Sequence, residues 1–310
     1  MIEQTVGVIG VGRLGSDVAL TLAERDLCNL VLYDQVTEKA EYLASDLADT
    51  PFGHVYNSRI SWATRMEDLA SCGVVLVAAG ARMEPGMRAE DAFVRNRELV
   101  REIADAFVGS STLFVVASEP IDLMTAALRR ELRVPPSRVL GIGGVVDSFR
   151  ARHEFANALD LGPEFVTSHV IGPHSSAAKI LWDFTSVNAM PARTIADEAV
   201  IATVEKTFAA EAEERLRRMA ESFSRYAPAM AAFDLVRALV KDDRRIMSVT
   251  MEWTNTLGIS DVAMSIPAVV GRFGADRVVL PRLDDATVSA LRESATALAT
   301  VLESSREKQA

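Results

Sequence analysis

The chain has 310 residues, 49% hydrophobic and 25% charged, which suits a globular protein large enough to bury two substantial cores. A formal net charge of -10 argues against a polyanion binder, so no nucleic acid partner is expected. No uncharged run nears membrane-spanning length and no cleavable leader precedes the first strand signal, so a cytoplasmic protein without membrane association is expected.

In chain order, residues 5–9 form a short β-rich run, followed by glycines and a helix with Leu14, Val18 and Leu22 on one stripe. A second strand covers 30–33 and ends at Asp34, and a helix follows over 37–48. Residues 74–79, 112–117 and 138–142 are further buried-strand candidates. Continuous apolar runs separated by helices predict a parallel sheet covered on both faces. The fold expected is therefore α/β: a Rossmann-type doubly wound sheet over residues 1–145, the dinucleotide-binding domain. Beyond that point the pattern changes, with short strands at 169–171 and 180–182 and long helices at 195–222 and 228–240. A last helix is expected to open at Asp285, capped by that aspartate, and to bury Val288, Leu291, Ala295, Leu298 and Leu302. Residues 304–310 read as a frayed end, and 146–310 as a mixed α+β catalytic domain.

Cys28 and Cys72 are the only cysteines and have no metal-ligand spacing, so reduced thiols and no metal are expected. Between the first strand and first helix, Gly10-Val11-Gly12-Arg13-Leu14-Gly15 is a G-x-G-x-x-G. Such glycines allow a tight turn, let backbone approach a pyrophosphate and bring helix close to sheet, while the helix N-terminus offers free N–H groups to phosphate. Asp34 ends the next strand, where a carboxylate accepts ribose hydroxyls and repels a 2′-phosphate. NAD is therefore expected, rather than NADP.

Asp147 and Arg150 lie one helical turn apart in Val-Val-Asp-Ser-Phe-Arg, so both side chains leave one face. His174 follows an apolar run in Val-Ile-Gly-Pro-His. A carboxylate that orients an imidazole, and a guanidinium that grips a carboxylate, suit hydride transfer at a 2-hydroxy or 2-oxo acid.

These motifs resemble the lactate/malate dehydrogenase family over nearly the whole chain. The matching segments include Asp-Ser-x-Arg, the stretch from His174 to Trp182, Ser265-Ile266-Pro267-Ala268-Val269-Val270-Gly271 and Leu280-Pro281-Arg282-Leu283. The resemblance implies an NAD-dependent oxidoreductase acting on a CH–OH group, assembled as a homodimer or homotetramer. It implies His174 as acid–base, Asp147 as its orienting carboxylate, and Arg150 as clamp for the substrate carboxylate. It also places Gly80 and Asn96 beside the cofactor.

The departures bear on the substrate. In the loop over residues 79–89, Met83 stands where malate dehydrogenases carry an arginine that reads the distal carboxylate. Ala89 stands where a second arginine polarises the reacting carbonyl, with Arg88 adjacent as its expected replacement and Arg82 as another donor. Glu119-Pro120 replaces the family's Asn-Pro, which touches the nicotinamide ribose and the substrate oxygen, and Gly172-Pro173-His174-Ser175-Ser176 departs around the histidine. Met83, Arg88 and Glu119 are thus expected substrate contacts. Lost positive charge and a gained carboxylate point to a 2-oxo acid other than oxaloacetate, hence to a hydroxy acid other than malate. The alternative is a catalytically impaired nucleotide-binding homologue with a regulatory or assembly role.

Overall fold

The computed structural model describes residues 4–50, 58–81, 84, 87–218 and 225–307. The first half alternates strand and helix: β1 (Thr5–Ile9), α1 (Arg13–Glu24), β2 (Asn29–Tyr33), α2 (Thr37–Asp49), β3 (Ile60–Trp62), β4 (Val74–Val77), α3 (Ala89–Ala106), β5 (Leu113–Val116), α4 (Ile121–Leu132) and β6 (Val139–Gly141). The second half holds α5 (Gly143–Ala158), the short strands β7 (Val166–Thr167), β8 (Val170–Ile171), β9 (Lys179–Ile180), β10 (Ser186–Val187) and β11 (Met190–Pro191), then α6 (Ala192–Ile195), α7 (Glu198–Arg218) and α8 (Tyr226–Lys241). It ends with β12 (Arg245–Glu252), β13 (Ala263–Gly271), β14 (Gly274–Val278) and α9 (Asp285–Glu307).

Strands β1 to β6 pair in parallel, in the spatial order 6-5-4-1-2-3. Their apolar residues, among them Val6, Val8, Leu30, Leu32, Val75, Leu76, Val115 and Val116, are fully buried, as a sheet covered by helices on both faces requires. The order reverses between β1 and β4, and the carboxyl ends of the strands flanking such a switch point open the crevice where ligands bind in doubly wound folds. The sheet does not stop at β6: antiparallel β12, β13 and β14 extend it to nine strands. A second core, with Phe155 edge-on to Trp182 at 5.3 Å, packs α5 against the short strands and α7.

Several expectations need correction. The helix expected over 195–222 is α7, which begins only at Glu198 because the Asp197 carboxylate accepts the Val200 N–H at 2.9 Å and caps it, while Ile195 ends the short helix α6. Residues 219–222 of that expectation lie outside the described residues. The last helix is capped by Asp284, which accepts the backbone N–H and the hydroxyl of Thr287 at 2.7 and 3.0 Å, rather than by Asp285. Its end is helical through Glu307, with Ser305 buried, so 304–307 is not frayed. Among the described residues no helix is long and apolar enough to cross a membrane.

Candidate active site

The turn after β1 carries the glycine fingerprint. Gly10 has φ +89°, and a Cβ there would lie 2.5 Å from the Ala79 backbone nitrogen, so β1 and β4 close on each other only around glycine. A Cβ on Gly15 would run into the Gly10 carbonyl, which fixes how closely α1 returns over the turn. Gly12 differs: nothing lies within 4 Å of where its Cβ would be. No packing neighbour demands a glycine at that position, and its missing side chain leaves room at the start of α1 for a pyrophosphate. Asp34 straps the turn in place, accepting the N–H groups of Val11 and Val36, each at 3.1 Å.

A cleft of about 620 Å³ opens here, lined by Gly12, Arg13, Leu14 and Gly80 from the nucleotide side and by Glu119, Asp147, Arg150 and His174 from the other. Asp147 and Arg150 reach it from the first turns of α5. Asp147 Oδ2 lies 2.7 Å from His174 Nδ1, and Arg150 Nη1 donates to Asp147 Oδ1 at 3.1 Å. Held this way, the imidazole carries its Nδ1 proton toward Asp147 and turns Nε2 toward Glu119 Oε1, 3.6 Å away. Burial works against the imidazolium, but the Asp147 carboxylate, with Glu119 behind it, pushes the His174 pKa up to about 9.

The histidine's backbone is seated by residues that sequence reasoning missed. Asp122, in the first turn of α4, accepts the His174 N–H at 2.7 Å through one oxygen and the Thr250 hydroxyl at 3.2 Å through the other. Burial pushes the Asp122 pKa up to about 7, against the pull of His174. Gly172, at φ +107°, exchanges backbone hydrogen bonds with Ser265 on β13 at 3.0 and 2.8 Å, fixing the loop that carries His174. Gly143 makes the approach possible, since a Cβ there would sit 3.0 Å from His174 Cβ and 2.9 Å from Thr250 Oγ1. The altered sequence around His174 is therefore compatible with a firmly held imidazole.

Other expected site residues fall differently. Asn96 is buried rather than on the helix surface, and it brackets two loops, accepting the Ala81 N–H at 2.6 Å and donating to the Glu119 carbonyl at 3.0 Å. It supports the cleft wall without lining it. Arg88 is not among the residues lining the cleft; its exposed side chain pairs with Glu90 in the first turn of α3. Ala89 opens α3, while Arg82 and Met83 lie outside the described residues. Unforeseen cations enter instead: Lys39 from α2, Arg215 from α7, and Arg225 just before α8, where it pairs with Asp17 at 2.9 Å.

A dinucleotide fold whose switch-point cleft meets a carboxylate-held histidine and an arginine defines a nicotinamide-dependent oxidoreductase acting on CH–OH groups. Comparison with known proteins agrees. Residues 4–141 match the NAD binding domain of lactate/malate dehydrogenases, and residues 145–309 match the alpha/beta C-terminal domain of the same family. The chain belongs to the lactate/malate dehydrogenase family, and its cofactor is NAD. It is 29% identical to a malate dehydrogenase of Chlorobium phaeobacteroides (strain BS1) over 294 residues, covering 94% of each chain. It is 28% identical to the malate dehydrogenase of Bacillus subtilis (strain 168), covering 97% of each. Among solved structures, the minor L-lactate dehydrogenase of Enterococcus mundtii superposes with a TM-score of 0.87 at 25% identity, over 97% of this chain and 98% of that one.

Proposed function

We propose that the protein interconverts a 2-hydroxy acid and a 2-oxo acid, with His174 as the acid–base. The observation that carries this reading is the pairing of Asp147 with His174 Nδ1 at 2.7 Å beside Arg150, all on one cleft wall. NAD supplies or accepts the hydride when bound, held by the turn over Gly10, Gly12, Arg13, Leu14 and Gly15, with Asp34 at its ribose and Gly80 nearby. The chain's own part is proton transfer and grip. His174 gives its Nε2 proton to the carbonyl oxygen during reduction and takes it back during oxidation. Asp147 holds the tautomer and stabilises the imidazolium. Arg150 keeps N–H groups beyond the one given to Asp147, enough to pair with the substrate's C1 carboxylate.

In this reading residues 1–145 bind the nucleotide and 146–310 complete the catalytic half. A homodimer or homotetramer follows from family likeness. A cytoplasmic setting suits Cys28 and Cys72, both free and buried, whose thiols burial pushes up to about 12 and about 11. The expected exclusion of malate has no support. Met83 lies outside the described residues, Glu119 faces His174, and the relatives at 28–29% identity are malate dehydrogenases. NADH consumption with oxaloacetate, pyruvate and an apolar 2-oxo acid tests the activity; no consumption with any of them rejects it.

A second reading, a nucleotide binder with little turnover, is favoured by one observation: Arg88 is paired outside the cleft. Losing one transition-state donor costs on the order of a hundredfold or more in rate. NADH binding without turnover would select this reading.

A further inference from the structure

The family's distal-carboxylate arginine belongs to the loop where this chain has Met83. From the second half, α7 brings a further guanidinium to the cleft. Arg215, near the end of α7, lines the same cleft as Arg150 on α5, and the two helices pack together. Its Nη2 donates to Glu211 at 3.2 Å, but its Nη1 is buried and has no hydrogen-bond partner. Burial, and then the like charge of Arg150, lower the Arg215 pKa, against the carboxylates of Glu211, Glu154 and Asp147. A buried guanidinium nitrogen without an acceptor is costly until one is supplied. Among the groups lining this end of the cleft, Asp147 is engaged by His174 and Arg150, and Glu119 faces His174. Glu211 occupies Nη2 and no protein acceptor among the described residues reaches Nη1, so an anionic group of the ligand would complete the hydrogen bonding of this side chain.

We infer that Arg215 is a specificity-determining residue that takes the distal anionic group of a 2-oxo acid whose C1 carboxylate rests on Arg150. The substrate class is then a dianionic 2-oxo acid, read by an arginine of the second half rather than by the loop after β4. This rests on the reading of His174 and Arg150 given above, and adds to it a residue and a charge requirement.

The experiment compares oxaloacetate with pyruvate in kcat/KM, using NADH, for the full-length protein and for Arg215→Gln and Arg215→Lys. The preference for oxaloacetate is expected to fall about a hundredfold in Arg215→Gln, the scale for removing a charged partner from a substrate carboxylate. Arg215→Lys keeps the charge and should retain part of the preference. An equal loss for both substrates would mean that Arg215 shares the C1 carboxylate, and an unaltered ratio would mean that it reads nothing; either overturns the inference. So does a wild-type preference for pyruvate. Tartronate and oxamate, titrated calorimetrically into the NADH complex, separate this from failure of the reaction itself. If the wild type turns over neither these two nor an apolar 2-oxo acid, the oxidoreductase reading fails. A tartronate preference that is lost in Arg215→Gln would then still uphold the anion site, and a preference that survives the substitution would reject it.

Discussion

Glu119 Oε1 stands 3.6 Å from His174 Nε2, the ring nitrogen turned away from Asp147. The imidazole is thus held between two carboxylates, and the one facing the cleft occupies a position where the family has an uncharged asparagine. An imidazolium is the form this arrangement favours before substrate arrives.

That fixes a pH dependence. The His174 pKa, pushed up to about 9, lies above the ordinary 6.5. Reduction of a 2-oxo acid needs the protonated ring, so its kcat/KM should hold through neutral pH and fall about tenfold per pH unit above about 9. Oxidation should rise over the same interval. Stability carries the same sign: the contribution of the charged ring is fully present below 6.5 and is lost as pH rises through about 9. Glu119→Gln removes one of the charges raising the pKa, so its rate profile should break at lower pH. An unmoved break would dissociate Glu119 from the imidazole.

Asp147→Asn keeps the shape of the carboxylate and removes its charge. Turnover should drop by about a hundredfold to ten-thousandfold, the range for displacing a working acid–base group. Stopped-flow hydride transfer with saturating substrate reads this directly. A loss confined to KM would point to substrate grip instead.

Asp122→Ala leaves the His174 N–H without its acceptor and the Thr250 hydroxyl with Ser265 Oγ alone. The expected cost is about 1–3 kcal/mol in urea unfolding, with turnover reduced as well. Because burial raises the Asp122 pKa from 3.8 to about 7, the wild type's stability contribution from the protonated acid is full below 3.8 and lost as pH rises through about 7. The variant should lack that slope.

The two glycines of the nucleotide turn separate cofactor binding from folding. Gly12→Ala meets open space and should leave the melting temperature within a few degrees while weakening NADH binding at least about tenfold. Gly10→Ala must place a Cβ against Ala79 at positive φ and should destabilise the fold by about 1–3 kcal/mol or more. Fluorescence titration of NADH and thermal melting, run on both, would expose a reversal.

What the sequence disclosed was chiefly local. The glycine turn, Asp34 and the one-turn spacing of Asp147 and Arg150 are short-range patterns with few alternative uses. The relation of His174 to Asp147 spans two elements and was legible only through family likeness. Asp122 was hidden because an aspartate in a helix's first turn reads by default as a cap, and its partner lies 52 positions away. Arg215 belongs to a helix rich in glutamate and arginine, a pattern that resembles a solvated face. Arg88 suggested itself by adjacency to Ala89, but the direction of an exposed side chain is not written in the sequence, and here it pairs with Glu90. Strand β13 is buried at every position, so it offers no alternation for a period-two reading.

The hydrogen bond from the His174 backbone to Asp122 ties a loop of the second half to a helix of the first. His174, Asp147 and Arg150 all belong to the second half, so a rotation of the halves would carry that centre as one piece and break only the bond to Asp122. Closure of that seam therefore sets the register of the histidine against the first half's wall of the cleft.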